Sequence, residues 1–493
     1  MGKESLAFRR ARTNLFGMMS LVNCNRLAVI AARISKFAVS EGIQPAPIPT
    51  TRRHHASGAP ASGTASFSAP TRAGRAGGRR SVAFARTGAR PAFAAVLAVA
   101  AWVFHSLPTA RADDWPHWRG PNRNGISTET GWLAEWPKDG PPVLWKARVG
   151  IGFSSFAVAG GRVFTQGNAQ NNDTVWCLDA VNGTVIWKHS YVADLGDKYF
   201  EGGTGSTPTV EGNRVYTISR WGDVFAFAAD TGKILWTKNV AKEADLRVPG
   251  WGFTGSPLVF EKLLVLNVGE AGLALDKNSG AIVWQSADNN AGYSTPLPLK
   301  RGDDWLALLS NESAFLAVNL RTGKPAWRVR WLTEYGVNAA DPVVSGEQIF
   351  LSSGYGKGGC VVRLGGSGEP ETVWKSKTLR TQMNPAVLLD GHLYGIDGDS
   401  TDKAVLKCVE FATGTEKWAQ KGIGSGAVTA ADGKLIVISD RGELLVAPAS
   451  PAGFAPTARA QVLGGKCWTV PVLANGRIYC RNARGDVVCV GVK

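Results

Sequence analysis

Few residues of this 493-residue chain are of a type and placement to do chemistry, and they fall in one kind of position. Asp341 stands directly before Pro342, and Glu201 opens the run Glu201-Gly202-Gly203-Thr204-Gly205. Such carboxylates would form a metal-binding or general-base pair with Asp341 as candidate base, although Ca²⁺ takes about six to eight oxygen ligands. Trp251, Tyr293 and Trp468 add aromatic platforms, Asn338, Gln382 and Asn384 add amides, and Gly202 adds open backbone. That set suits a planar cofactor, a sugar or a peptide, or only fills a space. His117, His189 and His392 lack metal-ligand spacing and read as turn or surface residues, so no metal site is expected. No Ser-His-Asp order, phosphate loop or zinc motif is present.

These residues share a position because the chain repeats. Gly183, Gly232, Gly280, Gly323 and Gly414 are each followed four residues later by Trp187, Trp236, Trp284, Trp327 and Trp418. With Trp145 and Trp374 the tryptophans step by 42, 49, 48, 43, 47 and 44 residues, the period of propeller blades. A polar residue precedes each glycine, as a tight turn requires, and the residues before each tryptophan are β-formers. A Pro-apolar start recurs between these signatures, as in Thr207-Pro208-Thr209-Val210, and gives eight copies of about four short strands. The candidate residues lie just before these starts and so converge on one mouth of the central channel. The seven tryptophans, fixed in the repeat, are expected to pack blade against blade. Asp179, Asp276, Asn319 and Glu410, four residues before the turn glycines, are expected to stabilise those turns. The expected fold is all-β: an eight-bladed propeller of four-stranded antiparallel blades. The last copy stops at Val490-Gly491-Val492 without its outer strand and Val143-Leu144-Trp145 supplies one, so the two chain ends should pair and close the ring.

Ala274-Leu275-Asp276-Lys277-Asn278-Ser279-Gly280 to Trp284 resembles the signature of the PQQ-like (quinoprotein-type) β-propeller repeats, from about Val143 to the end. The opening Trp115-Pro116-His117-Trp118-Arg119-Gly120-Pro121 is similar to an exported bacterial subgroup, whose members are labelled BamB-like or alcohol dehydrogenase-like. The resemblance implies either a scaffold that holds an envelope protein or small ligand, or a dehydrogenase using PQQ with Ca²⁺ and an Asp base. The vicinal cysteines and Cys-x-x-Cys-His haem motif that the resemblance associates with such dehydrogenases do not occur in this sequence. A binding scaffold is therefore the expected function, with PQQ-dependent alcohol oxidation as the alternative.

The formal charge of +16 is unevenly placed. Residues 1–112 hold 16 Lys and Arg against Glu4 and Glu41, a net +14, which leaves +2 for the remainder and argues against a nucleic-acid partner. Residues 1–112 read as a disordered basic leader ending in a signal peptide, with an apolar run at about 92–104 and cleavage after Ala112. The expectation is a periplasmic or secreted monomer that does not span the membrane after cleavage, with 113–142 as an N-terminal extension and 143–493 as the propeller. Six cysteines would remain, an even number compatible with disulfides. Cys480 and Cys489 flank the turn at Arg484-Gly485, where a cross-strand bridge stays open beside plain burial.

Overall fold

A computed structural model describes residues 114–365, 369–399 and 403–493; the leader, its apolar run and its cleavage site lie outside the described residues. Eight antiparallel sheets follow one another along the chain. The strand of each that faces the central axis is Ala157–Ala159, Thr209–Glu211, Leu258–Phe260, Leu297–Arg301, Val343–Ser345, Val387–Leu389, Ala427–Ala431 and Val472–Ala474, in blades 1 to 8. Blade 8 is composite: its outer strand Val143–Arg148 comes from the beginning of the ring and pairs with Asp486–Gly491, Trp145 opposite Cys489. The expected eight-bladed ring and its closure are therefore present, and closure gives blade 8 its fourth strand, so each blade keeps only short edges. Among the described residues the only α-helix is the single turn Val240–Glu243, and no helix is long and apolar enough to cross a membrane.

The repeated Gly and Trp hold neighbouring blades together, but not as partners of each other. Trp145 of blade 8 lies on the turn glycine of blade 1, where a Cβ on Gly183 would come within 2.6 Å of the indole. Trp187 meets Gly232 at 2.6 Å and Trp284 meets Gly323 at 2.5 Å in the same way, each on the following blade. The indole N–H then donates to a carbonyl of that same turn: Trp145 to Ala180 at 3.2 Å, Trp187 to Ala229 at 2.9 Å, Trp284 to Leu320 at 2.9 Å. A β-bulge aims each ring. All seven strands that carry these tryptophans shift register at the residue before Trp, whereas the outer strand of blade 7, Ala458–Gln461, carries no Trp and shows no shift. An extra unpaired residue twists the strand locally and turns the next side chain toward the neighbouring sheet. The turns are tied from within, since Asp179 Oδ1 accepts from the Val181 and Asn182 N–H groups and Asp276 Oδ1 from Asn278 and Ser279.

The N-terminal segment occupies the hub. Trp115 exchanges backbone hydrogen bonds with Val158 of blade 1, Pro116 O accepts from Val210 of blade 2, and Ile126–Ser127 pair in parallel with Ala430–Ala431 of blade 7. Arg119 donates to Ala386 O of blade 6 at 2.8 Å, and Ser127 Oγ to Leu473 O of blade 8 at 3.1 Å. A segment that reaches the inner strands of blades on all sides lies in the channel itself. The chain rises from Asp114, beside the turns at Gly160 and Asn475, turns at Arg119–Gly125, and descends along blade 7.

The cysteines take the plainer of the two readings: Cys177, Cys360, Cys408, Cys467, Cys480 and Cys489 are all free and buried. The hairpin register sets Cys480 opposite Val488 and Cys489 opposite Tyr479, so the two thiols point to opposite faces of the sheet and pack into different cores. No bridge can form between side chains on opposite faces.

Gly232→Ala, which combines φ +70° with the Trp187 ring, should cost about 2–4 kcal/mol of stability. Gly212→Ala in the same blade, at φ +55° with nothing within 4 Å, should cost about 1 kcal/mol. Denaturant midpoints that fall equally in both variants would remove the interblade contact from this account.

Candidate functional site

At the end of the ring where the inner strands begin, the loops enclose a cavity of about 350 Å³. Phe153, Phe200 and Trp468 form one run of rings, with Phe153 5.8 Å from each of the other two. Tyr199, Trp251 and Tyr293 form a second, with centroid separations of 5.4 and 6.0 Å. Both runs line the cavity, and Trp118, from the apex of the N-terminal segment, lines it too. Because that segment fills the channel behind it, the cavity is a blind cup. A second compartment of about 260 Å³, lined by Ser425, Gly426 and Ile396, shares the wall of Gln382, Met383, Asn384, Asp399 and Trp468.

Asp341 sits at the base of the cup as one member of a repeated hydrogen-bond chain. Ser155 N donates to Thr207 Oγ1 at 3.0 Å, Thr207 N to Ser256 Oγ at 2.9 Å, Ser256 N to Thr295 Oγ1 at 3.0 Å, and Thr295 N to Asp341 Oδ1 at 2.7 Å. The other carboxylate oxygen accepts from Trp118 Nε1 at 2.6 Å. Burial pushes the Asp341 carboxyl above its ordinary value, against the pull of Arg119, the two N–H donors and Arg123. Both guanidinium groups are buried, which lowers each to about 10. A carboxylate with a donor on each oxygen holds neighbouring segments in place.

Of the residues singled out in the sequence, Trp251, Tyr293, Asn384, Trp468 and Asp341 line the cup. Asn384 Nδ2 donates to Trp468 O at 2.8 Å and so ties two walls together. Glu201 stands behind the wall, where Lys466 Nζ pairs with its Oε1 at 2.5 Å, so it forms no carboxylate pair with Asp341. Gly202 holds φ +74° in a turn whose Cβ position lies 2.3 Å from Leu195 O, a backbone role. Asn338 does not reach the cavity. It is fully buried, donates to Asn311 O and Trp331 O, and accepts from Ser353 Oγ, a polar side chain spent on internal loop contacts. His117 also departs from a surface role, because burial chiefly and Arg123 next lower it to about 3. Trp118, Phe200 and Tyr355 were not anticipated, since none lies at the shared position before a Pro-apolar start; Phe153 does lie there, two residues before Ser155 as Tyr293 is before Thr295, and was passed over. The density of Trp, Pro and Gly in residues 115–121 was the available signal for Trp118.

A family model described as outer membrane protein assembly factor BamB matches residues 127–249 and 171–420, more than half of the chain. The chain belongs to that family. Over 285 residues it is 24% identical to BamB of Shewanella oneidensis, covering 54% of this chain and 69% of that one. Over 195 residues it is 28% identical to a quinoprotein ethanol dehydrogenase of Pseudomonas aeruginosa, covering 36% of this chain and only 30% of the dehydrogenase. Among solved structures, BamB from Moraxella catarrhalis superposes with a TM-score of 0.53 at 18% identity, over 71% of this chain and 99% of that one. Quinohemoprotein alcohol dehydrogenase from Comamonas testosteroni gives 0.57 at 13% identity, over 78% and 81%. At such identities the structural likeness is one of fold, which hosts more than one activity within and around the BamB family.

Trp118→Phe keeps an aromatic side chain of smaller size but leaves one Asp341 oxygen without its donor, and should cost about 1–3 kcal/mol by denaturant melt. No change would show that the apex is not anchored through this bond. His117 supplies a pH test. Its folded value of about 3 lies below the ordinary 6.5, so the unfolded chain takes up a proton that the folded one refuses, and stability falls as pH drops from about 6.5 toward 3. Asp173, raised by burial to about 6, acts in the opposite sense between about 6 and 3.8. Comparing His117→Phe with the parent isolates the histidine: the acid-side loss of stability should shrink by about one proton's slope.

Proposed function

We propose that this propeller is a binding scaffold that presents the blind aromatic cup, in an exported and monomeric protein, to a small ligand or a segment of an envelope protein. The observation that carries the proposal is the lining: rings from several blades around a cavity whose buried carboxylate already has a donor on each oxygen. Pockets with an apolar body and a few fixed polar groups orient ligands.

The alternative, alcohol oxidation with PQQ and Ca²⁺, matches the residues less well. PQQ is a tricarboxylate, and none of the residues lining the cup is Lys, Arg or His. Lys466, the nearest ammonium to Trp468, is engaged by Glu201. Among the described residues no three His, Cys, Asp or Glu side chains cluster as ligands for a metal ion. The cup therefore does not suit this quinone and its metal. Titration of the protein with PQQ and Ca²⁺ should leave the quinone absorbance unchanged and give no dye-linked oxidation of alcohols. A stoichiometric spectral change, with turnover abolished by Asp341→Ala, would replace the scaffold with the dehydrogenase.

A further inference from the structure

We infer that the cup and the polar compartment beside it take a neutral saccharide, which rests on the cup being a ligand site as proposed above. One buried polar atom on the wall that the compartments share has no partner, the Trp468 indole N–H, a donor. A buried polar atom left unmade is costly, so its complement is a ligand that accepts there. Sugar hydroxyls and acetamido groups do so. A polyanion finds no Lys, Arg or His on the lining.

The two compartments divide the work as a sugar ring requires. One offers the rings of Trp251 and Tyr293 for the apolar C–H face, with Trp118 below. The other offers Gln382, Asn384, Ser425 and Asp399 for the hydroxyl edge. At about 350 and 260 Å³, the pair has room for an oligosaccharide of two or three units rather than one sugar. A peptide is less well served. At blades 1 and 7 strand addition would have to displace the N-terminal segment, which already pairs there.

Calorimetric titration of the intact protein with cellotriose, chitotriose and trigalacturonate tests the assignment, with indole and a short Phe-containing peptide run in parallel. Binding of at least one neutral trisaccharide is expected, with trigalacturonate at least about tenfold weaker. Trp468→Phe, which keeps a six-membered aromatic ring and deletes the donor, should weaken the neutral sugar about three- to tenfold. Trp251→Ala, a substitution at a partly exposed ring, should weaken it by at least as much. Equal affinity for trigalacturonate, or sugar binding indifferent to both substitutions, overturns the inference. Indole or peptide binding that depends on Trp251, with no sugar bound, overturns the saccharide and leaves the cup a binding site. No binding of any probe removes both proposals.

Discussion

The structure depends on one contact repeated around the ring: an indole of one blade lying on the turn glycine of the next and donating its N–H to that turn. Both halves are present at five blade boundaries, while Trp418 donates to Ser450 O and packs on Phe454 without a turn glycine beneath it. The ring removes about 150–250 Å² of aromatic surface from water, yet only a turn without a Cβ lets it approach so closely. The bulge before each tryptophan leaves one residue of the outer strand unpaired and in exchange aims the ring across the blade boundary. Blade 7 lacks the tryptophan and also lacks the bulge, which links the distortion to the contact rather than to outer strands in general.

A second set of interactions, nearer the axis, sets up the candidate site. Hydroxyls at the start of successive inner strands accept N–H groups of the preceding blade, and Asp341 takes the place of a hydroxyl in blade 5. A carboxylate in that place has an oxygen to spare, and the spare oxygen receives Trp118. The same residue thus joins two blades and fixes the height at which the N-terminal segment stops. The depth of the cup follows from that height.

The blade was legible in the sequence because glycine, turn residue and tryptophan recur at a fixed spacing that periodicity exposes. The partner of each tryptophan was not, since the glycine four residues before it looks like the natural neighbour while the true one lies in the following copy. Closure was readable from the unmatched strand at Val143. The role of residues 114–129 escaped because a segment that occurs once has no period, and its contacts with strands hundreds of residues away leave no local mark. The pairing of Cys480 and Cys489 stayed open for a related reason, as one residue of register decides which face each thiol takes. Asn338 and His117 show the same limit: composition names a polar side chain, and only packing says whether it faces a cavity or a neighbouring backbone.

The composite eighth blade governs the order in which the molecule can become whole. Its outer strand, Val143–Arg148, is made early and meets Asp486–Gly491 only after roughly 340 intervening residues have been added, so the loop it closes is among the longest the chain contains. Until then the hub segment has no wall on one side, and the tryptophan of that strand has a target in blade 1 but no sheet of its own. Loss of the last few residues at the carboxyl end would therefore loosen the beginning of the ring and the floor of the cup together, at a distance from both along the polypeptide.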